Sequence, residues 1–348
     1  METLRLKVDP SDLESDAARA ALLQAAAILR AGGTVAFPTE TVYGLGANAL
    51  DAEAVKKIFA AKKRPGWDPV IVHVGERARV SLVAAEVPES AARLMEAFWP
   101  GPLTLLLPRS AAVPEVVTAG LERVGVRMPA HPVARALLQA AGLPVAAPSA
   151  NRFGRTSATT AEHVAEDLAG RVDAILDGGA TTHGVESTVV EARADGCVVY
   201  RPGVVTLEQI RAVCGGTVRL RESVREKESA PAPGMGLRHY APRARMILID
   251  GAEQAQAFAR AVQDCEAAGE RVGVMLPNEF SAAVAGRAVR IFPWGPWADA
   301  EELAQRLFAG MRELDAAGCS VIVCPLPAAE GIGLALRDRL LRAANSSR

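Results

Sequence analysis

Residues 34–46 read Thr34-Val35-Ala36-Phe37-Pro38-Thr39-Glu40-Thr41-Val42-Tyr43-Gly44-Leu45-Gly46. The first four residues predict a short buried strand, which Pro38 ends. The threonines and glycines that follow predict a tight polar turn in which the chain leaves the sheet. Polar loops at strand ends are where α/β folds bind ligands, but a plain strand-to-helix connection explains the same pattern equally well.

Helices and strands alternate on both sides of this stretch. A helix over 16–31 ends at a pair of glycines, and a second helix, capped by Asp51, covers 51–61. Further strands are predicted at 70–74, 103–107, 124–127, 145–147, 174–176, 187–191 and 198–200, and further helices at 88–98, 132–141 and 160–168. Because several neighbouring strands have no helix between them, the pattern favours an α/β fold with a twisted mixed sheet.

The length of 348 residues predicts about two domains. Mixed charge followed by prolines and glycines predicts a linker over 218–245. We therefore assign residues 1–217 to a first domain and 246–348 to a second, smaller Rossmann-like α/β domain. The strands of the second domain are predicted at 246–250, 272–276, 289–292 and 321–324.

The composition bears on the class of protein. Lys and Arg total 39 against 40 Asp and Glu, so the net charge of −1 gives no general attraction to nucleic acid or anionic membranes. No stretch is long and apolar enough to span a membrane, and the first ten residues lack the apolar core of a signal peptide. Five scattered cysteines fit reduced thiols better than a zinc site or a disulfide scaffold. We expect a cytoplasmic protein.

The segment Lys62-Lys63-Arg64-Pro65 closes the helix that Asp51 begins. Cations complement the negative end of the helix dipole and Pro65 stops the helix, so ordinary helix termination explains these residues. A role in binding ATP becomes attractive because the sequence holds no GxxxxGK[ST] motif and no complete GxGxxG motif.

Small polar or cationic residues follow several other predicted strands. Arg127 ends the strand at 124–127, and arginine suits bidentate capture of a carboxylate or phosphate. Ser149 and Asn151 follow an apolar strand, although they could equally cap the next segment. Several such groups along one sheet predict a pocket for an anionic, hydroxyl-bearing ligand. His73 lies inside a strand, as core histidines do, and no cluster of residues indicates a metal site.

Six short motifs resemble those of the YrdC-like domain of the threonylcarbamoyl-AMP synthase family and occur in the order in which that domain carries them. They are the segment 37–46, Lys62-x-Arg64-Pro65, Val126-Arg127-Met128-Pro129, Pro148-Ser149-Ala150-Asn151, Glu186-Ser187-Thr188 and Arg201-Pro202-Gly203. The resemblance covers about residues 20–205, and the chain from 232 onward is similar to the linker and extra domain of the long form of the family.

The resemblance implies condensation of L-threonine, bicarbonate and ATP, with Mg²⁺, to L-threonylcarbamoyl-AMP and pyrophosphate. The product serves the threonylcarbamoyladenosine modification of tRNA; partner proteins carry out the transfer, and direct tRNA binding is expected to be weak or absent. The implied threonine contacts are Thr41, His73, Arg127, Ala147 and Ser187. The implied nucleotide contacts are Arg64, Asp68, Arg123, Ser149, Ser157, Arg201 and Tyr240. The polar group that the family needs for activity corresponds to Lys62, Arg64, Ser149 and Asn151.

One departure from the family pattern concerns the nucleotide. The chain reads Asp68-Pro69-Val70 where the family usually has Asn-Pro-Leu. A carboxylate repels a triphosphate unless it faces a metal or a cation, so the resemblance leaves open whether Asp68 contacts the nucleotide.

Three further points remain expectations. The glycines and prolines of 230–242 suit a hinge and predict a lid over the site. An RNA-binding module is one alternative function, against which the near-neutral charge argues. A carbamoyl-transfer enzyme is another, although such proteins normally carry zinc-finger and acylphosphatase-like parts that this chain lacks.

Overall fold

A computed structural model describes residues 2–221 and 239–345 of the chain. These residues divide into two units. The first contains residues 2–153, 157–182 and 186–221, and the second contains residues 154–156, 183–185 and 239–345. Most of the predicted linker and lid, residues 222–238, lies outside the described residues.

The first unit is built on an eleven-stranded sheet. Its elements in chain order are β1 (Leu4–Lys7), α1 (Asp16–Arg30), β2 (Val35–Phe37), β3 (Gly44–Asn48), α2 (Ala52–Lys62), β4 (Ile71–His73), a 3₁₀ helix (Arg77–Leu82), α3 (Glu89–Phe98), β5 (Leu103–Pro108), α4 (Glu115–Thr118), β6 (Arg123–Arg127), α5 (Pro132–Ala141), β7 (Val145–Ala146), α6 (Ala161–Leu168), β8 (Ala174–Asp177), β9 (Thr188–Arg193), β10 (Gly196–Arg201), α7 (Leu207–Cys214) and β11 (Thr217–Leu220).

The strand order in this sheet is β1-β8-β2-β3-β7-β4-β6-β5-β9-β10-β11. The sheet contains both parallel pairs, such as β4 with β6, and antiparallel pairs, such as β5 with β6. The mixed sheet predicted from the sequence is therefore confirmed.

Successive residues of a strand point to opposite faces of the sheet. In this sheet, apolar residues are packed against helices on both faces. In β2, Val35 and Phe37 belong to the apolar cluster that also contains the buried residues of α1 and α5. Ala36, between them, belongs to the cluster on the other face, together with residues of α2 and α3. A three-layer arrangement of helix, sheet and helix follows.

The stretch 38–46 does not lead out of the sheet as the sequence predicted. After a loop, Gly44–Asn48 forms β3 and pairs antiparallel with β2, so that Gly46 lies opposite Val35. A Cβ at Gly46 would lie 2.7 Å from Val145 Cγ1 and 2.8 Å from Phe37 Cε1. Gly46 therefore permits close packing within the sheet. In the sequence, a glycine needed for close packing cannot be distinguished from a glycine needed for a turn.

The other predicted helices of the first unit are present, and Asp51 caps α2 as expected, since its carboxylate accepts from the backbone N–H groups of Glu53 and Ala54. The sequence reasoning missed β1, α4, α7 and β11. Strand β11 crosses the predicted domain boundary at 217; its backbone pairs with β10, whereas its side chains are mostly exposed. An edge strand held mainly by backbone hydrogen bonds carries little hydrophobic signal.

The second unit contains a four-stranded sheet in the order β12-β15-β13-β14, in which all pairs are parallel. Its elements are β12 (Arg245–Ile249), α8 (Gln254–Ala267), β13 (Val272–Pro277), a 3₁₀ helix (Asn278–Val284), β14 (Arg290–Gly295), α9 (Ala300–Ala316), β15 (Val321–Pro325) and α10 (Gly333–Asn345). The smaller α/β domain predicted from the sequence is confirmed. Within residues 2–221 and 239–345, no helix combines the length and the apolar character needed to cross a membrane.

Substitution of Gly203, in the motif Arg201-Pro202-Gly203, tests the close packing within the first unit. A Cβ at Gly203 would lie 2.4 Å from Thr188 N and 2.5 Å from Glu186 O. Because these are backbone atoms, we expect Gly203→Ala to lower the free energy of unfolding by about 3 kcal/mol, measured by urea denaturation. At Gly66 an added methyl group meets nothing within 4 Å, so Gly66→Ala should change the stability by less than about 0.5 kcal/mol. Equal stabilities of the two variants would contradict the prediction.

Candidate active site

Polar side chains come together where adjacent strands of the first sheet end. His73 at the end of β4 and Arg127 at the end of β6 are paired across the two parallel strands. The loop after β2 adds Thr41, whose Oγ1 accepts a hydrogen bond of 2.8 Å from Arg127 Nη1. Arg127 Nε also donates to Gly101 O at 3.2 Å. All three side chains are buried, so the structure joins three of the residues to which the family resemblance assigned threonine.

Glu40, to which the sequence reasoning gave no role, forms a buried ion pair with Arg127. Glu40 Oε1 lies 2.6 Å from Arg127 Nη2, and its Oε2 accepts from the backbone N–H of His131 at 3.4 Å. Burial by itself raises the pKa of Glu40, but Arg127 outweighs this effect and the pKa lies below its usual value. Glu40 therefore remains ionised and balances the charge of Arg127. The only indication of this role in the sequence is that Glu40 lies between Thr39 and Thr41 in the motif.

His73 is held in its uncharged form. Burial, followed by the nearby charge of Arg127, lowers the pKa of His73 to about 3, although Glu40 opposes this shift. The ring lies edge-on to Phe37, and within the described part of the chain Nδ1 has no hydrogen-bond partner. A neutral imidazole can donate one hydrogen bond and accept another without adding charge to a site.

Ser187 lies just before β9, next to Arg201 at the end of the neighbouring strand β10. Arg201 Nη2 donates to Ser187 O at 2.9 Å and to Ser187 Oγ at 3.1 Å. The Ser187 hydroxyl also lies 2.8 Å from the hydroxyl of Thr104 in β5. Thr104 was missed by the sequence reasoning, and its only signal is that it is a single polar residue within an apolar strand. Glu186, the residue before Ser187, accepts a hydrogen bond of 2.5 Å through its Oε1 from Ser157 Oγ.

Lys62, the last residue of α2, connects two motifs that are far apart in the sequence. Its buried Nζ donates to Ser149 O at 2.5 Å and also to Asn151 O. Burial above all lowers the pKa of Lys62 well below its ordinary value; Arg64 lowers it further, whereas Asp167 and Asp68 oppose the shift. The loop that carries Ser149 and Asn151 is therefore fixed to the end of α2 through one ammonium group.

Arg64 and Asp68 form a second buried ion pair. Arg64 Nη2 lies 2.9 Å from Asp68 Oδ2 and donates to Pro69 O at 2.8 Å, while Nε donates to Asp68 O at 3.2 Å. The guanidinium also lies over the ring of Phe153 at 5.9 Å from its centroid. The carboxylate that departs from the family pattern thus faces a cation.

The remaining site candidates are placed as follows. Ala147 follows β7, and its backbone N–H donates to Ile71 O at 2.8 Å. Arg123 begins β6, at the opposite end of that strand from Arg127, and its Nε pairs with Glu191 Oε1 at 2.6 Å. Tyr240 belongs to the second unit. There its ring stacks on Phe308 at 5.7 Å and lies 5.1 Å from the Arg339 guanidinium.

Comparison with known proteins shows the family of the chain. The family described as "Telomere recombination" matches residues 27–203, and the family described as "Threonylcarbamoyl-AMP synthase, C-terminal domain" matches residues 205–345. The threonylcarbamoyl-AMP synthase of Pyrococcus abyssi is 44% identical over 323 residues, which are 92% of this chain and 92% of that protein. That of Bacillus subtilis is 43% identical over 346 residues, which are 99% of this chain and 98% of the relative.

Solved structures give the same result for the fold. The crystal structure of Pyrococcus abyssi Sua5 complexed with L-threonine matches with a TM-score of 0.90 at 40% sequence identity, over 100% of this chain and 98% of the other. Both units are included in this match. The chain belongs to the threonylcarbamoyl-AMP synthase family.

Proposed function

We propose that the chain binds L-threonine beside Arg127 and ATP beside Lys62 and Arg64, and joins the two substrates through bicarbonate. As a member of its family the chain is an enzyme, a nucleotidyltransferase that forms threonylcarbamoyl-AMP. The observation that carries the assignment of the threonine pocket is the hydrogen bond between Arg127 and Thr41 beside a neutral His73. The threonine complex of a relative with the same fold supports it.

The chemistry of threonine suits the groups around Arg127. A guanidinium is the side chain best adapted to a carboxylate, and the hydroxyl groups of Thr41 and Ser187 can bond to an amine or a hydroxyl. Ala147, which the resemblance assigns to threonine, is buried in the apolar cluster that also contains Phe37. His73 adds a hydrogen-bonding group without a charge, which matters because the substrate amine must be neutral when it reacts.

The reaction consists of two bond-forming steps. The amine nitrogen of threonine attacks the carbon of bicarbonate, and loss of water leaves a carbamate. A carbamate oxygen then attacks the α-phosphorus of ATP, and the bond to pyrophosphate breaks. Neither step needs a protein nucleophile, so that positioning and charge neutralisation supply most of the rate. Because the pKa of His73 is about 3, we propose that bicarbonate or water takes the proton that the amine loses.

On the nucleotide side, the resemblance is our basis for proposing contacts from Arg64, Arg123, Ser149, Ser157, Arg201 and Tyr240, and it leaves open whether Asp68 contacts the nucleotide. The bonds from Lys62 to Ser149 O and Asn151 O support a role for Lys62 in placing that loop. Mg²⁺ is proposed to accompany ATP. The described residues contain no group of three or more His, Cys, Asp or Glu that could hold a metal ion. Phosphate oxygens and water would then be its main ligands, and it would neutralise the triphosphate.

The wider setting of the reaction is also a proposal. We place the enzyme in the cytoplasm and expect its product to pass to partner proteins that modify tRNA. A net charge of −1 supports weak direct binding to tRNA. The two alternative functions are distinguished by substrates: an RNA-binding module would bind RNA without ATP and with a steep salt dependence, and a carbamoyl-transfer enzyme would require carbamoyl phosphate.

Substitutions of Lys62 and Arg64 test the nucleotide site. We expect Lys62→Ala and Arg64→Ala each to lower threonine- and bicarbonate-dependent pyrophosphate release by at least about 100-fold, because each removes a buried cation that we assign to the triphosphate region. The matched control is Lys57→Ala on the same helix, whose Nζ donates to Gly32 O at 2.7 Å. This control should retain its activity. Retained activity in both site variants would refute the assignment.

Removal of a single hydroxyl tests the threonine pocket. Thr41→Val keeps the shape of the side chain but removes the acceptor that orients Arg127. A hydrogen bond to a charged group, such as the one we propose between Arg127 and the threonine carboxylate, contributes about 1.5–3 kcal/mol. We therefore expect the KM for threonine to rise by about 10-fold or more, whereas the KM for ATP changes by less than about 2-fold. Thr118→Val, which removes another buried hydroxyl of the same unit, is the control. If threonine KM stays constant in Thr41→Val, this pocket is misassigned.

A further inference from the structure

Lys62 and Arg64 place two cations close together in a region shielded from water. The two residues are separated by one position, and both are buried. Like charges repel more strongly where water is excluded, so the empty site needs compensation before any triphosphate arrives. The backbone carbonyls that accept from Lys62 satisfy hydrogen bonds but carry no net charge.

Asp68 supplies a full negative charge at this position. Its carboxylate lies 2.9 Å from Arg64 Nη2, and both side chains are almost inaccessible, at 0% and 4% exposure. Arg64 is also held by two main-chain carbonyls, Asp68 O and Pro69 O. Because these carbonyls remain whatever the side chain at position 68 is, the geometry of Arg64 and the charge of Asp68 can be separated by mutation.

We propose that Asp68 is a positioning residue that acts through Lys62 and Arg64: as a built-in counter-ion it pairs with Arg64, helps to keep Lys62 protonated in the empty site and moderates the attraction of both cations for phosphates. This inference rests on the proposed nucleotide site. It gives a reason for the departure from the Asn that the family usually has at this position: the carboxylate substitutes in part for the charge of the absent triphosphate. When ATP or pyrophosphate is bound, the same carboxylate repels it and favours release.

The charged groups around Lys62 determine the direction in which the pKa of Lys62 changes when Asp68 is replaced. Burial above all, and Arg64 on the same segment, lower the pKa of Lys62, whereas Asp167 from α6 and, more weakly, Asp68 from the next loop raise it. Removal of the charge of Asp68 takes away one of these two carboxylates that oppose Arg64. Lys62 then loses its proton at a lower pH than in the wild type, and the site as a whole gains one unit of positive charge while Lys62 is protonated.

The experiment is Asp68→Asn in the full-length enzyme, with kcat/KM for ATP measured against pH. Activity that needs protonated Lys62 is lost as the pH rises through the pKa of Lys62, so the alkaline limb should move to lower pH. Below that limb, competitive inhibition by pyrophosphate should become about 10-fold tighter, since the counter-charge is gone. A change that was only structural would move neither the limb nor the inhibition constant.

Asp173→Asn is the matched control. The Asp173 carboxylate accepts from Thr34 N at 2.7 Å and from Thr34 Oγ1 at 2.9 Å, before the start of β8, and no candidate site residue touches it in these contacts. Its pH profile and pyrophosphate inhibition should equal those of the wild type. Asn is tolerated at position 68 in the family, so Asp68→Asn should fold; if it does not, Asp68→Ser removes the same charge and is measured in the same way.

The outcomes separate this inference from the proposed function. If Lys62→Ala and Arg64→Ala abolish activity but Asp68→Asn leaves both the alkaline limb and pyrophosphate inhibition unchanged, the counter-ion role is wrong and the nucleotide site stands. A folded Asp68→Asn without any activity would also overturn the inference, because a counter-ion role requires an active enzyme with a shifted profile. Retained activity in the two cation variants would instead overturn the proposed function.

Discussion

Buried cations that must find oxygen partners are the constraint on which the candidate site depends. Lys62, Arg64, Arg127 and Arg201 are all buried, and each donates to at least one backbone carbonyl of a loop at the end of a strand. A buried charge without a partner destabilises the folded state by several kcal/mol, which is a large fraction of the free energy of unfolding of a typical domain. The loops are therefore held in place by the same side chains that would meet the substrates.

The anions of the site balance these cations in pairs. Glu40 accompanies Arg127, and Asp68 accompanies Arg64, at distances of 2.6 and 2.9 Å. Such pairing reconciles a site for anionic substrates with a chain whose net charge is only −1. It also keeps the proposed amino-acid pocket free of excess charge, since His73 next to Arg127 is neutral. The reacting amine, which must be uncharged, then meets fixed dipoles rather than a strong field of one sign.

The short motifs of the family combine residues of two kinds. Thr41, Arg127 and Ser187 present polar groups, whereas Gly46 and Gly203 are required because neighbouring atoms leave no space for a Cβ. Arg201 shows that one motif can serve both purposes, since it bonds to Ser187 while Gly203, two residues later, packs against the backbone of the same segment. A place in such a motif is therefore not by itself a sign of a catalytic role.

The sequence by itself determined the mixed α/β sheet, the second parallel domain, the cap of α2 and most helices, because these depend on local propensity and on periodic burial. Its motifs also indicated which polar residues to expect at strand ends. Only the tertiary structure decided that 44–48 is a strand, that Lys62 is bonded to the loop of Ser149, and that Glu40 and Thr104 belong to the site. These features depend on contacts between segments that are distant in the sequence. Every buried charge or hydroxyl needs a hydrogen-bonding partner, but the sequence does not show which distant residue that partner is.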